Sequence, residues 1–254
     1  LYLLSAIAAR DFGWAGTTET VERLEATFDA MQKLPRLRGH FYNWYATRDL
    51  RPLDPRYVSS VDSGNLAGHL IVLANACEGW INAPLATDAL IGMRDNLRLA
   101  REAAGEAASA ERGRRLLAIL EQIQDLLSGM QDLESTSATL VQLTEEAAAA
   151  AAQPPPAGGE DSSDAAFWIG AMAKAVAEHD RDRRLSRDAP HDLEDRLKAL
   201  ADTARAMVMA MDFAFLLDPE RKLLSIGYSL SDKSLDPSCY CLLYTSDAAD
   251  EEDS

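Results

Sequence analysis

The stretch Gly39–Leu70, GHFYNWYATRDLRPLDPRYVSSVDSGNLAGHL, passes from an irregular segment into a helix, and its reading decides the fold. Residues 36–62 form a connection rich in aromatics, Arg, Asp and Pro. Connections longer than about 12–15 residues inside a compact domain are functional or disordered. The aromatic content argues against disorder. Beyond it, Leu66, Leu70 and Leu73 recur at helical spacing, so one face of the following helix is apolar. Asp62 or Ser63 suits its N-cap, because a short oxygen-bearing side chain accepts a free amide of the first turn. The same Asp62-Ser63-Gly64-Asn65 geometry can aim Asn65 and the capping side chain into a cavity at the helix start.

Helices are predicted on both sides of this stretch. Thr17 or Thr18 can cap a helix whose Val21, Leu24, Phe28 and Met31 share a face, with Pro35 ending it. Another helix is expected from about Thr87 to Ala104. Leu116, Leu120, Ile123, Leu127 and Met130 repeat at four-three-four-three, which predicts a long helix packing on one neighbour. An intramolecular hairpin is favoured over a coiled-coil dimer arm, because the repeat barely reaches three or four heptads. Residues 147–164, an alanine run followed by QPPPAGGEDSSD, read as a flexible linker. After it, Trp168, Met172, Ala175, Val176 and His179 share one face. Leu193, Leu197, Leu200, Ala204, Met207 and Met211 share another. Phe213–Leu217, a DPERK turn and Leu223–Tyr228 then read as a β-hairpin. The expected fold is mainly α: helical hairpins in series with one small β-hairpin, arranged as a bundle, solenoid or α/α toroid. The expected divisions are 1–146, the linker 147–164, 165–240 and a tail 241–254.

Composition narrows the function. The chain has 254 residues, 47% hydrophobic and 26% charged, which is ordinary for a globular protein. Its formal charge of −16 disfavours binding to nucleic acid or to an anionic membrane surface. No run of about 18 uninterrupted apolar residues is present; the best candidate, Leu66–Cys77, is broken by Gly68, His69 and Asn75. Leu1–Ala9 reads as the tail of a helix already under way and lacks the features of a signal peptide. Cys77, Cys239 and Cys241 make no disulfide framework, and a reduced cytoplasmic compartment is the default. His40, His69, His179 and His191 show no zinc spacing, so neither metal nor cofactor is expected. Ser60 and Ser63 sit in no GxSxG elbow. Gly64 and Gly68 follow no strand that would make them a dinucleotide fingerprint.

The aromatic cluster is the strongest chemical signal. Phe41, Tyr42, Trp44 and Tyr45 flank Asn43. Carbohydrate sites use this mixture: rings stack on the C–H faces of a sugar, while amides and carboxylates bond its hydroxyls. Tyr and Trp suit the task because each joins an apolar body to a polar tip. Some of these rings are also expected to anchor the loop to the core. Asp49, Asp54 and Asp62 add carboxylates; Arg48 and Arg51 can pair with the first two. His69 reads as a core histidine. In the second informative region, Arg221–Tyr240, the residues Tyr228, Asp236 and Tyr240 can approach a ligand, with turn formation at Asp236-Pro237 the alternative. The candidate binding set is therefore Tyr42, Asn43, Trp44, Tyr45, Asp49, Asp62, Ser63, Asn65 and Tyr240.

Three stretches carry a family resemblance: AARDFGWAGTTETVERLE, the GHFYNWY…LRPLDPRYVSSVDSGNLAGHL segment, and RKLLSIGY followed by LDPSCY. They resemble the central glucoamylase-like, transglycosylating domain of cyclic β-1,2-glucan synthase. The resemblance runs from Leu1 to about Tyr240, densest at residues 1–80 and 205–240. Ala46 stands where the family usually has Asp, and the family's DLLASEAR after DPSCY is replaced from Cys241 onward. CLLYTSDAADE, residues 241–251, looks like a translated sequencing adapter, so 241–254 is read as a non-native tail; without its five acids the charge changes from −16 to −11.

The resemblance implies an incomplete α/α toroid whose loops form a glucan site at one mouth. It implies a parent enzyme in which a membrane glycosyltransferase module builds linear β-1,2-glucan and a phosphorylase-like module adjusts its length. The central domain would then close the ring, on the cytoplasmic side of the bacterial inner membrane. Retaining transfer needs two carboxyl groups about 5–5.5 Å apart. The family's expected glutamates, in motifs resembling SWSGSMFEYLMP and WGISESAY, have no equivalent here, so no catalytic residue is assigned; Asp62 is the lesser candidate. An incomplete ring would expose apolar faces and lower solubility. A non-catalytic helical scaffold and a β-1,2-glucan hydrolase domain are the alternative readings.

Overall fold

A computed structural model describes residues 1–81, 85–106, 111–129, 136–152, 163–188 and 191–239. Among them the protein is mainly α, with eight α-helices and short antiparallel strands. Two compact units are formed, one from residues 25–78 and from 198 onward (with Leu1), the other from Tyr2–Leu24 and Gly79–Leu197. No helix among the described residues is long and apolar enough to cross a membrane.

Among its described residues the second unit is built of helices. It contains α1 (Tyr2–Asp11), the start of α2 (Thr17–Lys33), α4 (Leu85–Glu106), α5 (Glu111–Gly129), α6 (Ser137–Ala151) and α7 (Ser163–Asp188). The helix expected from the Leu116–Leu127 repeat is α5, and it packs on α6 within the chain, as the favoured hairpin reading requires. The heptad seam is real: Leu116, Leu120, Ile123 and Leu127 are all buried, while Met130 lies outside the described residues. Their core partners include Met93 and Leu97 of α4 and Ile169 and Met172 of α7. The alanine run is not linker up to Ala151. Ala147, Ala150 and Ala151 are buried in α6, where small side chains let α7 approach. Residues 153–162 of the expected linker, and the expected tail 241–254, lie outside the described residues.

The start of α2 is capped from a distance. Backbone N–H groups of Thr17 and Thr18 donate to the two carboxylate oxygens of Asp182 on α7, at 2.6 and 2.9 Å. No threonine hydroxyl caps it, contrary to expectation, because a buried carboxylate satisfies two free amides at once and suits the positive helix end. Thr17 Oγ1 instead accepts from Arg10 Nε at 3.1 Å.

The first unit mixes helix and strand. It holds the later part of α2, most of α3 (Ser60–Ile81), and α8 (Asp192–Met209) from Lys198 onward. Its core includes Phe28, Leu70, Leu73, Ala204 and Leu216. Cys77 is buried there, and burial pushes its thiol up to about 11. Among the described residues three small sheets occur rather than one hairpin. β1 (Arg36–Leu37) pairs with β2 (His40–Phe41). β4 (Leu217–Asp218) pairs with β5 (Leu223–Leu224), close to the predicted hairpin. The expected strand residues before it, Ala214–Leu216, form a 3-10 turn, started by Asp212 Oδ1 accepting the Ala214 amide at 2.9 Å.

The third sheet joins the two informative stretches. β3 (Tyr57–Ser59) pairs antiparallel with β6 (Gly227–Ser229), aligning Val58 with Tyr228, and β6 pairs with β7 (Ser234–Leu235). Ser60 Oγ donates to the Ser225 carbonyl, and Ser60 N donates to Ile226 O at 3.0 Å. The chain therefore enters α3 directly from a strand. The cap of α3 is Ser59, whose hydroxyl accepts the Asp62 amide at 3.2 Å. This corrects the expected Asp62 or Ser63 cap: the helix starts earlier, and Asp62 falls in its first turn.

Candidate functional site

The aromatic segment is held by its own backbone before it presents any side chain. Asn43 N donates to Tyr57 O at 3.0 Å, Leu53 N to Trp44 O at 3.0 Å, and Ala46 N to Arg51 O at 2.9 Å. Tyr45 fastens it further. Its hydroxyl donates to Pro35 O at 2.7 Å and accepts the Tyr42 amide at 2.9 Å. Burial raises the Tyr45 hydroxyl pKa, so it stays protonated as that bond requires. Asp49 pairs with Arg51 at 3.2 Å, and Asp54 with Arg56 at 3.3 Å.

On the other side, the β1–β2 turn is pressed against the end of α8. Gly39 has φ +85°, and a Cβ there would lie 2.0 Å from Ala210 O, so only glycine fits. Asp212 N donates to Arg38 O at 3.0 Å, and the side chains of Arg38 and Asp212 pair at 3.3 Å. His40, fully buried, lies edge-on to Phe213 and Phe215 and donates from Nε2 to Asp212 O at 2.9 Å. Burial lowers the His40 pKa, which favours the neutral ring.

These restraints frame an open cavity of about 330 Å³ in the first unit. Its walls are Tyr42, Asn43 and Trp44 from the loop, Asp62 and Ser63 from the first turn of α3, and Phe41, Leu66 and Met211. Trp44 is 69% exposed, which is unusual for so large an apolar surface. Ser63 is buried. The polar side-chain atoms of Asn43, Trp44 and Asp62 make no hydrogen bond among the described residues. Donors and acceptors thus converge on the same opening as an exposed indole face.

Of the nine candidate residues, Tyr42, Asn43, Trp44, Asp62 and Ser63 are brought together. Tyr45 and Asp49 are engaged in the backbone and ion-pair contacts above and do not line the cavity. Asn65 is exposed on α3 and is not among its walls. Tyr240 lies outside the described residues. In the second informative region, Asp236 accepts from Tyr57 Oη at 3.3 Å and from Ser238 N at 3.0 Å, the turn role of the alternative reading. Tyr228 lies edge-on to Phe215 at 5.4 Å. Phe41, a member of the aromatic cluster but outside the candidate set, lines the cavity with Leu66 and Met211. Leu66 and Met211 carried only the signal of an apolar helix face, and nothing in spacing says which end of such a face opens to a cavity.

No family model matches the chain. Across 257 aligned positions it is 38% identical to the cyclic beta-(1,2)-glucan synthase NdvB of Rhizobium meliloti (strain 1021). The chain is a relative of that glucan synthase. The match takes in 96% of the chain, so both compact units fall under it. The chain spans about 9% of the synthase's length.

Proposed function

We propose that this chain is the glucan-holding part of a glucoamylase-like domain that cyclises linear β-1,2-glucan by transglycosylation within a cyclic β-1,2-glucan synthase. One observation carries the reading. An exposed tryptophan face and unengaged amide, carboxylate and hydroxyl groups border one open cavity, the combination a sugar needs. Trp44 would take the C–H face of a glucose unit. Asn43 and Asp62 would bond its hydroxyls, and Tyr42 would close the side.

Two further considerations support it. The relative named above is a cyclic glucan synthase, and ring closure by transglycosylation, in which one glycosidic bond breaks with release of the reducing-end fragment as another forms, needs a wall that positions a long chain. The site also sits at the junction of β3 and α3, where strand pairing and the Ser59 cap fix the geometry before ligand arrives. The catalytic carboxyl pair is assigned to other parts of the parent domain. The α/α toroid, the membrane glycosyltransferase module, the phosphorylase-like module and the cytoplasmic face of the inner membrane belong to the same proposal.

The test is a titration of the chain with linear β-1,2-glucan, read by tryptophan fluorescence, with a β-1,4-linked glucan as control. Saturable change with the first and none with the second is the expected result. No response to either overturns the reading. Product analysis with the whole domain separates ring closure, which leaves no new reducing ends, from hydrolysis, which creates them.

A further inference from the structure

The motif Arg10–Trp14, RDFGW, takes no part in the site described above. It lies in the helical unit, where Phe12–Gly16 links α1 to α2 and is held unusually firmly. His179 Nε2 donates to Gly13 O at 2.8 Å. Glu178 Oε2 accepts the Gly16 amide at 2.8 Å. Helix α4 presses on the same carbonyl: a Cβ at Gly92 would lie 2.0 Å from Gly13 O. What this clamped turn displays is Trp14, 49% exposed, with its indole N–H donating to Asp95 Oδ2 at 3.3 Å and its ring 5.3 Å from that of Phe12.

Beside Trp14 is a second open cavity, of about 430 Å³, between α4 and α7 and within the range of about 300–1,000 Å³ usual for small-ligand sites. Trp168 lines it from α7, and Asp95, Asn96 and Arg98 line it from α4. The charges on the α7 side are already matched. Lys174 lies 3.5 Å from Glu19 and 3.4 Å from Glu178. Asn96 and Arg98 make no side-chain hydrogen bond or ion pair among the described residues, although Asn96 is 93% buried (7% exposed). The Asn96 amide, unpaired and open at the cavity wall, is available to a ligand or water. Two indoles for an apolar face, an amide, a carboxylate acceptor and one unmatched guanidinium suit a neutral, hydroxyl-rich ring better than an anion.

We infer that this cavity is a second carbohydrate-binding site, separate from the one at Trp44, which takes a pyranose unit between Trp14 and Trp168 with its hydroxyls on Asp95, Asn96 and Arg98. The site rests on the helical unit's own geometry; only the choice of a β-1,2-linked sugar as probe rests on the function proposed above.

The chain has four tryptophans, Trp14, Trp44, Trp80 and Trp168, so a sample labelled with indole ¹⁵N gives four N–H resonances to follow, assigned by Trp→Phe variants. Short linear β-1,2-gluco-oligosaccharides are titrated into the full chain, with inorganic phosphate titrated separately. The expected result is that Trp14 and Trp168 shift along one saturation curve, and that Arg98→Gln, at an exposed position, weakens that curve roughly tenfold while leaving the Trp44 curve unchanged. Asp95→Asn, which keeps an acceptor for the Trp14 indole, should also weaken it. If Trp44 responds and Trp14 and Trp168 do not, the second site is overturned while the first stands. If Trp14 and Trp168 respond and Trp44 does not, the second site is supported and the first falls. A response to phosphate but not to the sugar overturns the assignment, as does a sugar response that Arg98→Gln leaves untouched.

Discussion

Trp44 and Asp62 line the same cavity, one from the aromatic loop and the other from the first turn of α3. Neither side chain makes a hydrogen bond to the protein among the described residues. Tyr45, next to Trp44 in sequence, does the opposite: its hydroxyl is engaged twice by backbone. Adjacent aromatics therefore divide the work, one fixing the loop and the other facing outward.

That division predicts the behaviour of Tyr45→Phe. Loss of the hydroxyl leaves Pro35 O and the Tyr42 amide without their partner. The expected cost is about 1–2 kcal/mol in urea unfolding. Glucan affinity should fall too, although Tyr45 does not line the cavity, because Tyr42 and Trp44 lose a tether. An unchanged midpoint and unchanged affinity would show that the loop is held by its other bonds.

Gly39 gives a sharper test of the opposite wall. Gly39→Ala places a methyl group into Ala210 O and forces alanine to a positive φ. A loss of at least about 2–3 kcal/mol in denaturant unfolding is expected, with glucan binding weakened as Met211 shifts. Near-wild-type stability would mean that the β1–β2 turn does not dock on α8 as described.

Much of this was legible beforehand, and the exceptions share a cause. The helix faces of α2, α5 and α7, the break at Pro35 and the closeness of Asn43, Trp44 and Asp62 follow from spacing and residue type. The caps did not. Asp182, 3% exposed, accepts the Thr17 and Thr18 amides from another helix. Local sequence offered threonines there and gave no sign of a distant carboxylate. The β3–β6 pairing was likewise illegible: β3 becomes a strand only because β6, far along the chain, supplies its partner. The pairing is a long-range fact that no window of sequence contains.

The cap itself can be tested. Asp182→Ala removes the acceptor for two helix-start amides and should lower stability by about 2–3 kcal/mol, read as a drop in thermal midpoint. Asp182→Asn keeps one acceptor oxygen and should lose less. Equal losses in both variants would mean that packing at that position, rather than capping, is what the aspartate provides.

His40 predicts a pH dependence. Burial holds its folded-state pKa below the ordinary value of 6.5. The unfolded chain then takes up a proton at a pH where the folded chain does not. Stability contributed by neutral His40 is full above about pH 7. It is lost as pH falls through the unfolded value toward the lower folded one. Denaturation curves from pH 7.5 to 5.5 should show this decline in the wild type, and His40→Gln should flatten it while being less stable at the upper end. An identical slope in the variant would assign the decline to other groups.

The central claim is that Trp44 faces a glucan, and calorimetry of linear β-1,2-glucan binding to the wild type and to Trp44→Ala tests it most directly. Because Trp44 is 69% exposed, the substitution should leave the thermal midpoint nearly unchanged. The account predicts saturable binding by the wild type and affinity weaker by about tenfold or more in the variant, the loss of one ring–sugar stack. Equal affinities in the two proteins, or no binding by a folded wild type, would contradict it.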